Sequence, residues 1–197
     1  MNATKIMAAM AAMFLTTVAM AQDARYELKS GAIKIEMTTQ GLKMAGMQYF
    51  DDYGRKDAAL VSADMPMGKI EIKTLQFGDT LYSINLTQKM GQKLLSPMKP
   101  VNYMSLTSEM VENYKIKEVG EETVAGKLCK KYTIEVTEAG QTVNGEVSVW
   151  KGIVLKSVMK QGMIEISNQT AIEVQENVPV EPSMFEIPAG INVMNMN

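Results

Sequence analysis

The sequence predicts a mainly β fold, a single domain with one main helix, and three observations support this prediction. Several segments alternate apolar and polar residues with the two-residue period of a half-buried strand, as in AIKIEM over 32–37. Glycines divide the chain at intervals that suit tight turns between antiparallel strands. Only residues 105–114 repeat their apolar side chains at helical spacing. A chain of 197 residues fits one domain of ordinary size.

The segment LKMAGMQYF predicts a strand whose apolar face changes halfway. It begins with Leu42 and Met44 on one face and continues with Met47 and Tyr49 on the other. Gly46 lies at the change, and a glycine inside a strand pattern is typical of a bulge or bend. The sequence therefore predicts an irregularity in the strand at Gly46.

Two turn signals follow this strand. The acidic stretch Asp51–Gly54 predicts a turn, and its adjacent carboxylates point apart, which argues against an acid–base pair. Gly78 and Asp79 predict a hairpin whose second strand carries Tyr82 on its apolar face. Residues 87–100 are less regular and predict a loop or a short edge strand.

A helix is predicted over residues 105–114. Leu106, Met110 and Tyr114 fall at positions i, i+4 and i+8, and Ser105 or Thr107 is the candidate N-terminal cap. The apolar stripe is narrow, so the helix should lie against a sheet with its other face exposed.

Residues 115–176 predict a meander of antiparallel strands joined by glycine turns. Trp150 ends one of these strands. It is either an aromatic residue at the mouth of a cavity or one packed in the core. After the meander, three prolines exclude a central strand. We expect a short helical turn that buries Phe185, followed by a loose Pro-rich tail.

Residues 1–21 have the features of a secretory signal peptide. Lys5 precedes an apolar run from Ile6 to Met20, and Ala19 and Ala21 occupy the small-residue positions before a cleavage site. A membrane anchor is the alternative, but the run is short for one. We expect a mature domain over residues 22–197, located in the periplasm or secreted beyond it, without an integral membrane segment.

Composition argues against most catalytic chemistry. The chain has no His, which excludes His-based acid–base catalysis and the commonest metal ligand. It has 20 basic and 22 acidic residues, unlike the basic surface of a nucleic-acid-binding protein. Cys129 is the sole Cys, so there is no intrachain disulfide. We predict no catalytic residues, no metal site and no cofactor, and hence a protein that is not an enzyme.

The motifs VAGKLCKKYTIEV, VWKGIVLKS and VPVEPSMFEIPAG, in this order after the signal peptide, resemble the LolA/LolB-like superfamily of envelope lipoprotein carriers. The likeness covers roughly residues 30–190. It is closer to exported proteins of unknown function, common in Bacteroidetes, that share this fold. The resemblance implies a strongly curved antiparallel sheet, an unclosed half-barrel, with the helix on its concave face and an apolar cavity between them. The carriers' long N-terminal helix is missing, because the strand pattern begins at Ala32.

The leading functional hypothesis is periplasmic, non-catalytic binding of an apolar ligand, a lipid or an acyl chain, between sheet and helix. The abundant methionines suit a flexible apolar lining, although they also serve as ordinary core residues. The candidate lining residues are Met44, Met47, Tyr82, Leu106, Met110, Tyr114, Trp150 and Met159. The alternative is an envelope scaffold or protein-interaction module with a filled core, which would bind a protein partner through its surface.

Overall fold

The computed structural model describes residues 24–66, 68–77, 80–95, 101–138 and 141–196. The predicted signal peptide and the turn at Gly78 and Asp79 lie outside these residues. The strands are β1 (Gly31–Thr39), β2 (Leu42–Asp51), β3 (Lys56–Met65), β4 (Gly68–Phe77), β5 (Thr80–Asn85), β6 (Met90–Leu95), β7 (Lys117–Val124), β8 (Lys127–Glu138), β9 (Gln141–Trp150), β10 (Ile153–Gln161), β11 (Ile164–Glu176) and β12 (Asn192–Asn195). The helix α1 spans Ser108–Asn113, and two 3₁₀ turns span Asp52–Gly54 and Pro182–Phe185.

All the described strands belong to one long sheet in the order β12-β6-β5-β4-β3-β2-β1-β11-β10-β9-β8-β7. Every neighbouring pair is antiparallel except β12 and β6, which run parallel. The sheet is curved and open, and β12 and β7 are its two ends. These observations confirm the predicted mainly β fold with an unclosed antiparallel sheet.

The bulge predicted at Gly46 is wrong, and the alternative of a bend there stays a prediction. The ladders from β2 to β1 and to β3 run through Gly46 without a shift, and the register shift lies instead between Lys34 and Ile35, where β1 pairs with β11. A Cβ at Gly46 would lie 2.0 Å from the Leu60 carbonyl oxygen, so the glycine permits close approach of the β3 backbone. Apolar residues change face because both faces of β2 are covered.

Three apolar clusters form the core. Cluster 1 lies around β1–β4 and β10 and includes Ile33, Ile35, Met37, Met44, Phe50, Ile72, Cys129, Ile153 and Leu155. Cluster 2 lies over β8–β10 and comprises Tyr132, Ile134, Val147, Val149 and Met159 from these strands, with Val101 and Ile116 from the segments before and after α1. Cluster 3 comprises Ala58, Leu75, Ile84 and Phe185.

The helix packs against cluster 2 and is shorter than predicted. It starts at Ser108 because Thr107 caps it: the Thr107 side chain accepts a hydrogen bond from the Met110 backbone N–H at 3.2 Å. Ser105 instead belongs to a turn, where its N–H donates to the Asn102 carbonyl at 3.1 Å. None of the helical residues is fully buried, as expected for a helix on the face of a sheet.

The C-terminal segment covers the face of β2–β5 opposite cluster 1. The 3₁₀ turn at Pro182–Phe185 buries Phe185 in cluster 3, which confirms the predicted helical turn. The loose tail is wrong, because Asn192–Asn195 forms β12 and pairs with Met90–Lys93 of β6. For the same reason residues 90–95 are a strand inside the sheet and neither a loop nor an edge.

Candidate functional site

The eight side chains predicted to line a cavity lie in separate parts of the structure. Met44 lies in cluster 1, and Trp150 packs against it. Met159 lies in cluster 2, and Leu106, Met110 and Tyr114 pack against it. Tyr82 packs against cluster 3, and Met47 is half-buried on β2. The structure therefore brings together the four residues between α1 and β8–β10. It separates the other four from them; Met44 and Trp150 share cluster 1, whereas Tyr82 lies against cluster 3.

Aromatic side chains pack beneath the segment that leads into α1. The Tyr103 and Tyr132 rings lie 5.2 Å apart between centroids. Burial raises the pKa of the Tyr103 phenol, and the neighbouring Tyr132 raises it further. The two cavities described below, both lined by residues that the structure describes, lie away from this contact.

Trp150 is held between two cations. The Nζ atoms of Lys127 and Lys151 each lie 4.7 Å from the indole centroid. Both lysines pair with Glu176, and the hydrogen bond from Lys127 is the main cause that lowers the pKa of that carboxyl group. The ring packs against cluster 1 and lines neither cavity, which favours the core interpretation of Trp150.

The larger cavity is an open cleft of about 550 Å³ over β11, β1, β2 and β3. Met37 and Met44 contribute to its lining together with Glu36, Lys43 and Asp64. These three charged side chains are exposed and differ in sign, so the cleft shows no preference for a class of ligand.

The smaller cavity, about 360 Å³, lies between β2–β4 and residues 183–189; we call it the C-terminal cavity. Its lining is mostly apolar: Tyr49, Ala58, Leu60, Leu86, Met184 and Ile187. The small side chain of Ala58 on β3, which faces the C-terminal segment together with Leu75 on β4, leaves space under that segment. Burial of Phe185 on one side holds that segment in place over the sheet.

Lys73 supplies a cation to the wall of the C-terminal cavity. The residue is 7% exposed, and its Nζ donates to the carbonyl oxygens of Ser183 at 2.9 Å and Glu186 at 2.8 Å. Burial lowers the pKa of this ammonium group, while the negative charge of Glu186 acts in the opposite direction. The lysine thus fastens the C-terminal segment to β4 and places a positive charge beside an apolar space.

Lys73 and the other lining residues of the C-terminal cavity are not among the eight residues predicted to line a site. A signal exists in KIEIKTLQF, where Lys73 shares a strand face with Leu75. A lysine in line with apolar residues is typical of a long side chain that buries its stem.

A buried polar network lies where β2 ends and β3 begins. Asp57 accepts hydrogen bonds from Arg25 at 2.9 Å, from the Tyr26 hydroxyl at 2.7 Å and from the Gln48 amide at 3.2 Å. The backbone N–H groups of Arg25 and Tyr26 donate to the Tyr53 carbonyl. These bonds attach residues 24–30 to the turn between β2 and β3, so this carboxylate is a structural one.

The fold defines the class of this protein as an open, curved antiparallel sheet with a short helix on one face. Residues 29–161 match the family described as domain of unknown function DUF4412. The chain belongs to this family. No curated protein matches the chain in sequence.

Solved structures share the fold at low sequence identity. An uncharacterised conserved protein from Thermus thermophilus is 9% identical with a TM-score of 0.53, over 86% of this chain and 91% of that one. MucB, in its complex with MucA(peri), is 11% identical with a TM-score of 0.52, over 87% of this chain. The match spans 58% of the MucB chain, less than two thirds of its length.

The predicted resemblance to lipoprotein carriers is matched more weakly. A Vibrio parahaemolyticus domain named for outer membrane lipoprotein sorting is 13% identical, over 93% of this chain and 97% of that one, with a TM-score of 0.40. A score this low does not establish a shared carrier function. Among the described residues, no helix is long and apolar enough to cross a bilayer.

Proposed function

We propose that this chain is a non-catalytic binding protein of the bacterial periplasm that holds an apolar ligand in the C-terminal cavity. The observation that carries the proposal is the cavity itself. Its volume of about 360 Å³ falls within the range of small-molecule sites, and its lining is apolar apart from a few polar groups. The signal-peptide pattern over residues 1–21 supports the periplasmic location.

The contact between α1 and β8–β10 is the second candidate location for the ligand. It is supported by the packing of Leu106, Met110 and Tyr114 against cluster 2, to which Met159 belongs. A ligand would enter by separating the half-buried helical side chains from cluster 2. The C-terminal cavity requires no such rearrangement, and we therefore favour it.

The test is native mass spectrometry of the mature protein, purified from its own envelope fraction without detergent. We expect adducts with the masses of apolar molecules, which organic extraction removes and which return when the extract is added back. A clean mass that takes up no added extract or lipid would contradict ligand binding.

Two cavity-filling variants locate the ligand. Leu60→Trp fills the C-terminal cavity, and Met110→Trp fills the contact beneath α1. Leu128→Trp is the matched control, because Leu128 is 62% exposed on β8. We expect Leu60→Trp alone to lose the adduct with its far-ultraviolet circular dichroism unchanged. Loss in Met110→Trp alone would move the site to the helix.

A second candidate function is an envelope protein-interaction module. The turn between β10 and β11 presents Met163 fully exposed and Ile164 71% exposed, and exposed apolar side chains at a hairpin tip suit a protein partner. The fold relative MucB has been crystallised with MucA(peri). If this function is correct, Met163→Ser with Ile164→Ser removes an envelope protein from cross-linked pull-downs. The ligand adducts of the double variant stay unchanged.

A further inference from the structure

The ammonium group of Lys73 is unusual because it is buried next to apolar side chains. Only 7% of the residue is exposed, and its cavity neighbours include Tyr49, Leu60 and Ile187. Burying an ammonium group is unfavourable unless hydrogen bonds and opposite charge compensate for the lost water. The hydrogen-bond partners and charges around this nitrogen therefore indicate which kind of ligand the cavity binds.

The hydrogen bonds to Lys73 leave part of its capacity unused. An ammonium group has three N–H donors. Two of them reach the carbonyl oxygens of Ser183 and Glu186. Both acceptors are neutral, and in the described part of the chain no carboxylate lies within salt-bridge distance of this nitrogen. The third donor and the positive charge remain for a group in the cavity.

The charged groups near the cavity differ in exposure. Glu186 also lines it: its backbone carbonyl accepts a hydrogen bond from Lys73, and its exposed carboxylate acts on Lys73 from outside hydrogen-bond distance and raises the pKa of the lysine. Lys56, whose Nζ lies 5.9 Å from the Phe185 centroid, is exposed as well. Solvent and salt screen the exposed charges of Glu186 and Lys56 more than that of Lys73, a residue only 7% exposed. The Lys73 ammonium group is therefore the charge that a group inside the cavity would meet most directly.

We propose that the C-terminal cavity selects apolar acids: the apolar body packs against Tyr49, Leu60 and Ile187, and the carboxylate accepts the third N–H of Lys73. This inference rests on the proposed function of the cavity and adds the charge of the ligand. A hydrogen bond between two charged groups is worth more than one between neutral groups. An acid should therefore bind more tightly than the alcohol of the same chain length.

The experiment compares three probes that share one apolar chain: decanoate, decanol and decylamine. Isothermal titration calorimetry of the mature protein near neutral pH gives the Kd of each. We expect decanoate to bind at least about tenfold more tightly than decanol, as a charged hydrogen bond provides. We expect decylamine to bind more weakly than decanol, because its ammonium group meets that of Lys73.

Two variants assign the preference to Lys73. Lys73→Met keeps the apolar stem and removes the charge, and we expect the ratio of the decanol Kd to the decanoate Kd to fall to about one. Lys69→Met is the matched control on the same strand, where an exposed lysine pairs with Glu71 at 2.7 Å; the ratio should stay unchanged. A C-terminal segment loosened by Lys73→Met would weaken both probes together, so the ratio still reports the charge.

Each result decides between the two proposals. Equal affinity for decanoate and decanol in the unmodified protein overturns the inference about charge and leaves the apolar binding function intact. A preference for decanoate that persists in Lys73→Met assigns the selection to another group and also overturns the inference. If none of the three probes binds, the proposed function of the cavity fails.

Discussion

Lys73 and Gly46 show how a single residue depends on a distant part of the chain. The alternation around Lys73 predicts which strand face it occupies, but the sequence does not show that this face is covered. The covering carbonyl of Ser183 lies 110 residues further along the chain. Gly46 is similar: the sequence marks it as unusual, but the reason is the approach of β3, which local patterns do not encode.

Gly46→Ala should destabilise the protein by about 2 kcal/mol, since the added methyl group would meet the β3 backbone and force the strands apart. The Cβ would lie 2.0 Å from the Leu60 carbonyl oxygen and 2.7 Å from the Val61 Cα. Urea unfolding followed by circular dichroism measures the loss. Gly91→Ala is the control with a smaller expected loss, because its Cβ meets only side-chain atoms at 3.3 Å or beyond. Equal losses would show that the β3 contact is not the cause.

Glu122 should make stability depend on pH in the acidic range. Hydrogen bonds from Lys156 at 2.7 Å and from the Ser148 hydroxyl lower the pKa of its carboxyl group below the ordinary value. The stabilisation is therefore complete above the ordinary pKa of a glutamate, and it is lost as the pH falls through the lowered pKa.

The Glu122→Gln variant tests this dependence. Near neutral pH we expect it to be less stable by up to about 1 kcal/mol, as for a partly exposed ion pair, and the difference should vanish in acid. Urea midpoints across the acidic range measure the change. The exposed neighbour Glu121 provides the control Glu121→Gln. A difference that stays constant with pH would refute the linkage.

At the level of elements, those fixed by local signals were predicted and those fixed by distant partners were not. The burial of Phe185 follows from apolar residues next to Pro182, and the helix follows from its spacing and its cap at Thr107. β12 was missed because a four-residue strand has no pattern of its own. It exists because β6 offers unpaired backbone groups at the end of the sheet.

The candidate site was likewise predicted only where local signals exist. Leu106, Met110 and Tyr114 all pack against cluster 2, but only Met110 lies within α1, because Leu106 precedes the Thr107 cap and Tyr114 follows Asn113. The helical spacing does not show how tightly they pack, and it gives no indication of the space above Ala58. That space depends on the path of the C-terminal segment over β2–β4.

Phe185→Ala should lower the free energy of unfolding by about 3 kcal/mol, because a buried ring is lost from cluster 3. The C-terminal segment would also lose its anchor beside the cavity, so the affinity for decanol should fall as well. Thermal unfolding and calorimetry measure the two effects. Ile172→Ala, at a position 46% exposed on β11, is the control and should change neither. Unchanged decanol affinity in Phe185→Ala would separate this segment from ligand binding.

For the whole molecule, the sequence predicted the kind of sheet but not its strand order. Alternation of apolar and polar residues, together with glycine turns, indicates hairpins. Hairpins account for β1–β6 and for β7–β11, two series in which consecutive strands are neighbours in the sheet. The pairing of β1 with β11 joins the two series. No turn signal predicts this pairing, because the paired residues, such as Gly31 and Glu176, lie far apart in the sequence.

A chain that ends at Gly190 should self-associate. Removal of β12 exposes the edge of β6, and an unprotected edge strand pairs readily with another chain. Sedimentation velocity at increasing protein concentration measures the association. A control chain that ends at Asn195 keeps β12 and should sediment as the full-length protein does. Identical behaviour of both truncated chains would show that β12 does not protect this edge.

The pairing of β1 with β11 also affects how the protein acquires its structure. The strand made first obtains its second neighbour only after nearly the whole chain exists, and β6 likewise waits for β12. Contacts between residues so far apart in sequence make folding slow, because a long loop must close before they form. The hairpins of β1–β6 can therefore form early, whereas the pairings of β1 with β11 and of β6 with β12 form only after β11 and β12 have been synthesised.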